Sequence, residues 1–183
     1  MPDPAPRADF TRNRERILTA ARAALAQTSD ASLSAIAKAA GVGFGTLYRH
    51  FPTREALVLT LYHSEMQRLV DRAPELLQAH EPLDALRLWL QEVARHGRLK
   101  YGAAEVIHAA TGNGANDPNY APFVAAIKTL LDAGANTGAL KPGLDPEDVL
   151  LQMGVLWRIP PGPGAEARAE RLLNLIIDGL LAR

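Results

Sequence analysis

Apolar residues recur at three- and four-residue intervals along most of this chain, the spacing that lays one side of an α-helix against a core. Ile17, Leu18, Ala21 and Leu25 form the first such stripe, with Arg14, Arg16 and Arg22 among the positions between them. Ser32 is placed to cap a short helix over Leu33–Ala40 that stops at Gly41. A second short helix is predicted from about Gly43 to His50. Pro52 then breaks the chain, and Thr53 caps a longer helix carrying Leu57, Leu61, Met66 and Leu69, which Pro74 is expected to end.

The same punctuation continues. Pro82 sits at a first helical position, and Leu83, Leu86, Leu90 and Val93 follow before Gly97. A helix is expected around 103–111, ending in a loop at 112–116. Asp117-Pro118 opens another, carrying Phe123, Ile127, Leu130 and Leu131 and closed at Gly134. Asp145-Pro146-Glu147 combines a capping acid, a proline at the first helical position and an acid near the positive end of the helix dipole. The last helix, about 165–181, follows the turn 160–164. With no alternating strand pattern, fixed-period repeat or sustained heptad, the chain reads as an all-α protein of about nine helices.

Composition narrows the chemistry. The 183 residues are 48% hydrophobic, long and apolar enough to bury roughly 70% of the unfolded surface without a staple. There is no cysteine, which removes disulfides, thiolate metal sites and a cysteine nucleophile. No apolar run approaches the roughly 20 residues of a membrane span. Residues 1–9 lack the apolar core of a signal peptide and read as a short flexible tail. A soluble cytoplasmic protein without metal, cofactor or membrane partner is expected. Net charge is zero, yet residues 1–54 hold eight basic side chains against four acidic ones, and the remainder twelve against sixteen. A basic head on an acidic body suggests that the head alone meets a polyanion.

The informative stretch is 32–57, SLSAIAKAAGVGFGTLYRHFPTREAL. Two helices too short to stand alone, joined by a glycine turn and flanked by longer helices, have the geometry of a helix-turn-helix. Ala37 is small where the pair crosses, and Gly41 can adopt the left-handed turn conformation. Ile36, Val42, Leu47 and Phe51 supply the small core. In such a unit the second helix enters the major groove. Thr46 suits a base edge, and Arg49 a bidentate contact to guanine or a phosphate. Phe44 suits a thymine methyl, while Gly43 and Gly45 let backbones approach closely. Tyr48, His50 and Arg54 offer donors for phosphates.

Residues 10–57 resemble the DNA-binding domain of TetR-family transcriptional regulators. The resemblance rests on Ile36-Ala37, Ala40-Gly41-Val42, Gly45-Thr46-Leu47-Tyr48, His50-Phe51 and Glu55-Ala56-Leu57, and GVGFGTLYRHFPTREAL is its most specific part. The chain departs from that family's usual pattern at Gly43, where Ser or Thr is common, at Arg54, usually Lys, and at Ala35, often an acid. The resemblance implies a helix-turn-helix domain over 10–55 and a ligand-binding and dimerisation domain over 56–183. It further implies a homodimer on a palindromic double-stranded DNA operator, released by a small-molecule effector of unknown identity. Ser32 joins Gly43, Phe44, Gly45, Thr46, Tyr48, Arg49, His50 and Arg54 as the DNA-binding set.

In the body, Trp89, His96, His108, Phe123 and Met153 combine aromatic surface with polar groups and are the candidate effector contacts. The last helix is apolar over more than one face, which marks it and the helix opened by Asp145 as the dimer interface. Leu156, Trp157, Leu173, Ile176, Ile177 and Leu180 are the residues expected there. An enzyme is the main rival, but there is no HExxH pair, no Gly-Lys-Ser/Thr phosphate loop and no GxSxG elbow. A helical protein-interaction module is the other rival. It leaves unexplained why Thr46, Tyr48, Arg49, His50 and Arg54 cluster on one short helix and the start of the next.

Overall fold

Side-chain caps start three of the described helices where the sequence places them. The computed structural model describes residues 5–28, 31–97, 117–160 and 162–182. The described helices are α1 (Ala5–Gln27), α2 (Leu33–Ala40), α3 (Phe44–His50), α4 (Arg54–Ala79), α5 (Pro82–Gly97), α6 (Tyr120–Asn136), α7 (Pro146–Met153) and α8 (Ala165–Leu180). A 3-10 helix, Gly154–Arg158, follows α7. Among the described residues there is no strand, only an isolated antiparallel bridge between Leu140 and Leu181, so the chain is all-α. The helix expected at 103–111 and its loop lie outside the described residues.

Ser32 Oγ accepts the N–H of Ala35 at 3.1 Å, Thr53 Oγ1 that of Ala56 at 3.1 Å, and Asp145 Oδ1 that of Glu147 at 2.8 Å. Each satisfies an otherwise orphaned donor in a first turn. Gly41 ends α2 at φ 62°, with its own N–H bonded to Lys38 O and that of Val42 to Ala37 O. That pair of bonds is the Schellman closure, which needs the left-handed conformation glycine adopts without strain.

Four expectations give way to tertiary packing. Helix α1 starts at Ala5, so residues 5–9 are helical rather than tail. Pro74 does not end α4, which continues to Ala79. The proline is exposed while Ala73 and Leu76 are buried, and apolar burial in the extra turns offsets the proline's cost inside a helix, about 3 kcal/mol. Gly134 does not close α6, because it is a packing seat for the Leu140 side chain rather than a left-handed stop. The helix opened by Asp145 stops at Met153 and tightens into the 3-10 turn carrying Leu156 and Trp157.

Among the described residues the two larger apolar cores both rest on α4. Ile17, Leu18, Ala21, Ile36, Ala37, Ala40, Leu47 and Phe51 close the head core together with Leu57 and Leu61 of α4. Further along the same helix, Leu69, Ala73 and Leu76 enter the body core with residues of α5 through α8. The head's packing thus runs past residue 55, on to Leu61. Near the change-over Glu65 is only 4% exposed, and its carboxylate pairs with Arg22 of α1 and, at 3.5 Å, with Arg68. The C-terminal segment is fastened to the turn after α6, where Lys141 N–H donates to Leu180 O and Ala182 N–H to Ala139 O.

Replacing Gly41 by Ala places a Cβ in a left-handed residue and 2.6 Å from Arg16 Nη2. The arginine tip can move aside, so the backbone term decides the cost, about 1–2 kcal/mol. Urea unfolding of Gly41→Ala is expected to show a loss of that size with an unchanged m-value.

Candidate nucleic-acid interface

Helix α3 is held from beneath and open above. Leu47 is fully buried, and Phe51, 2% exposed, caps the helix C-terminus through its N–H to Leu47 O at 2.8 Å. Leucine and phenylalanine at this spacing aim one face at α1, α2 and α4. Positions off that face look outward: Phe44 is 50% exposed, Tyr48 48%, and Gly43, Gly45 and Arg49 are also exposed. Thr46 is half-buried, and its Oγ1 accepts a bond from Arg49 Nη2 at 3.2 Å. The Phe44 and Tyr48 rings lie 5.3 Å apart. Six of the nine expected contacts (Phe44, Gly45, Thr46, Tyr48, Arg49 and His50) thus lie on one short helix, with Gly43 at its N-cap and half-buried His50 at its end.

Neither glycine is there for the fold. Gly43 has φ −67°, which any residue adopts, and a Cβ at Gly43 or Gly45 would meet nothing within 4 Å. Glycine inside a helix costs about 1 kcal/mol relative to alanine, so Gly45 weakens α3 without easing any internal contact.

Ser32, Arg54 and His50 are tied into the scaffold. The Ser32 oxygen serves the N-terminus of α2. Arg54 Nη1 reaches back to Ala31 O at 3.3 Å, joining the start of α4 to the loop before α2. His50 is half-buried, stacks on Phe10 at 4.0 Å between centroids, and has its Nδ1 buried. Burial lowers its pKa, and the neighbouring charges of Arg49 and Arg14 lower it further, so the imidazole is neutral near pH 7.

Two α1 residues complete the frame. Arg16 Nη2 donates to Gly41 O at 3.2 Å, clamping the turn between α2 and α3. The Arg14 guanidinium lies 5.7 Å over the Phe51 ring, within range of a cation–π contact. Helical spacing marks these arginines as a polar face of α1 but does not reveal that they reach partners 25 and more residues away.

Residues 17–61 match the family described as bacterial regulatory proteins of the tetR family, and 81–182 match the C-terminal domain of SbtR-like transcriptional regulators. A TetR transcriptional regulator from Streptomyces coelicolor is 37% identical, with 92% of this chain and 98% of that one covered at a TM-score of 0.78. A TetR regulator from Mycobacterium vanbaalenii is 32% identical over 96% of this chain and 99% of the other, with a TM-score of 0.72. This chain belongs to the TetR family. Among curated proteins none shows significant similarity. Membership makes it a DNA-binding transcriptional regulator and not an enzyme. No described helix of this TetR-family chain is long and apolar enough to cross a membrane.

The body residues fall differently. Trp89, Phe123 and Met153 are buried together, with the Trp89 and Phe123 rings 5.1 Å apart. The indole N–H of Trp89 already donates to Leu69 O at 2.8 Å. His96 lies on α5 with its side chain outside the described residues, and His108 is outside them altogether. Of the expected dimer residues, Leu156, Leu173, Ile177 and Leu180 are buried in this chain's own core. Ile176 is half-buried, and the Trp157 side chain lies outside the described residues. Exposed apolar surface on these elements belongs instead to Leu151 (79%), Val155 (49%) and Leu175 (66%), which helical spacing alone did not single out.

The lowered His50 pKa fixes a sign. Below the ordinary imidazole value of 6.5 the unfolded chain holds more protons at this site than the folded one, so stability rises with pH across that window and is lost as pH falls. Urea unfolding of the wild type from about pH 7.5 down to about pH 5 is expected to show this loss, and His50→Gln to reduce the slope.

Proposed function

We propose that this chain is a ligand-responsive repressor that binds a palindromic operator as a homodimer, in the cytoplasm, and leaves it when a small-molecule effector binds the body. One observation carries the DNA-reading part. Helix α3 buries Leu47 completely and leaves Phe44, Tyr48 and Arg49 exposed on a basic head, with two glycines beside them that no internal contact requires. A short helix with a buried back and a protruding, backbone-accessible front suits the major groove.

In this reading residues 10–55 supply the DNA-contacting elements and 56–183 the effector and dimer functions. Thr46 and Arg49 address base edges, Arg49 exchanging its bond to Thr46 for one to a base or phosphate. Tyr48 donates to a phosphate, and Gly43 and Gly45 admit the DNA backbone closely. Ser32, His50 and Arg54 sit at the margin of the contact, His50 as a neutral imidazole. Because one short helix reads few base pairs, two copies on paired half-sites supply specificity. Leu151, Val155 and Leu175, with half-buried Leu172 and Ile176 beside them, offer the surface for that pairing. In this reading the effector binds in the body near Trp89, Phe123 and Met153, where aromatic and thioether groups meet.

Selection of bound sequences from random duplex DNA tests the reading and is expected to return a palindrome. Affinity for the selected duplex should fall steeply with salt, each neutralised phosphate adding about −0.9 to the log–log slope. Arg49→Ala and Tyr48→Ala are expected to abolish binding while moving the unfolding midpoint little, because both side chains are exposed. Gly45→Ala should weaken DNA binding while raising stability by up to about 1 kcal/mol, a pairing of signs that a purely structural glycine would not give. For the dimer, Leu151→Asp combined with Leu175→Asp should sediment as a folded monomer, and a persistent dimer would move the interface elsewhere.

A further inference from the structure

The open face of α3 carries more apolar surface than phosphate contacts require. Phe44 and Tyr48 stand one helical turn apart, each about half exposed, with ring centroids 5.3 Å apart and planes tilted by 50°. Neither joins the head core, which takes only Leu47 and Phe51 from this segment. Gly43 and Gly45 flank Phe44, so neither chain neighbour places a side chain beside the ring. The polar readers beside it, Thr46 and Arg49, are linked to each other at 3.2 Å, which leaves the two rings as a separate apolar ridge.

Of the groups that base pairs present in the major groove, the thymine C5-methyl is the apolar one. We propose that Phe44 and Tyr48 form a ridge that packs against thymine methyl groups in each operator half-site, which makes Phe44 a specificity-determining residue for thymine. The inference rests on α3 being the DNA-reading helix. A protein partner would seek a wider apolar patch than two side chains. The surrounding charge also favours a polyanion, since residues 1–54 hold eight basic groups against four acidic ones. With the Tyr48 ring 5.3 Å from that of Phe44, a methyl group meets two aromatic faces side by side.

The test replaces thymine by deoxyuridine, one position at a time, in the duplex recovered by selection with the wild-type protein. Removing a methyl that packs on the ridge should weaken wild-type binding about fourfold, the equivalent of one buried carbon. Phe44→Ala should bind the thymine duplex more weakly and no longer distinguish it from the deoxyuridine duplex. Phe44→Leu, which keeps apolar bulk, should restore part of the discrimination. Equal wild-type affinity for both duplexes at every position, or undiminished discrimination by Phe44→Ala, would overturn the proposal. Salt-dependent binding of wild type to both duplexes would then show that DNA reading by the chain stands without the ridge. Failure to bind any duplex would remove the DNA-reading assignment and this inference together.

Discussion

A seven-residue helix has no stability of its own, and α3 exists because Leu47 and Phe51 are pressed into the floor formed by α1, α2 and α4. That anchoring decides the orientation of everything else on the helix. With Leu47 pointing down, Phe44, Tyr48 and Arg49 have nowhere to point but outward. The Gly41 turn and its Arg16 clamp set the angle at which α3 leaves α2, and the Thr53 cap starts α4 in time to place Leu57 beneath it. A small apolar contact therefore presents a polar and aromatic surface of defined shape.

The second organising element is α4, which serves two cores in succession. Leu57 and Leu61 belong to the head, Leu69 and Leu76 to the body. Between them, buried Glu65 pairs with Arg22 across from α1, and Tyr62 donates to Asp117 Oδ2 at 2.8 Å just before α6. Burial and the adjacent carboxylate hold the Tyr62 hydroxyl protonated well above its ordinary range, which keeps it a donor. Polar ties of this kind fix relative orientation more than they add stability.

What was legible in the sequence was local. Ser32, Gly41, Thr53 and Asp145 mark helix ends because each acts on backbone groups within a few residues of itself. Helix α3 was legible for a related reason, since its apolar and polar positions alternate at helical spacing around Leu47. Pro74 and Gly134 misled because their local tendency to stop a helix was outweighed by packing from distant segments. The dimer residues illustrate a different gap. An apolar stripe on two faces of α8 does not say which of them the chain covers itself. Leu173, Ile177 and Leu180 turn inward, and Leu175 stays outside. Arg14, Arg16 and Phe10 were unreadable as framing residues because their partners, Phe51, Gly41 and His50, are brought to them only by the fold.

The sharing of α4 also bears on modularity. A chain with a head core and a body core invites being cut and rejoined, one head grafted onto another body. Here a seam at residue 55 would amputate the floor of the head, because Leu57 and Leu61 lie on the far side of it. A workable graft would have to carry α4 through Leu61 with the head, and would then inherit the Arg22–Glu65 pair as a lock that the new body must match. The two halves are interchangeable only as far as that single helix can be made to belong to both.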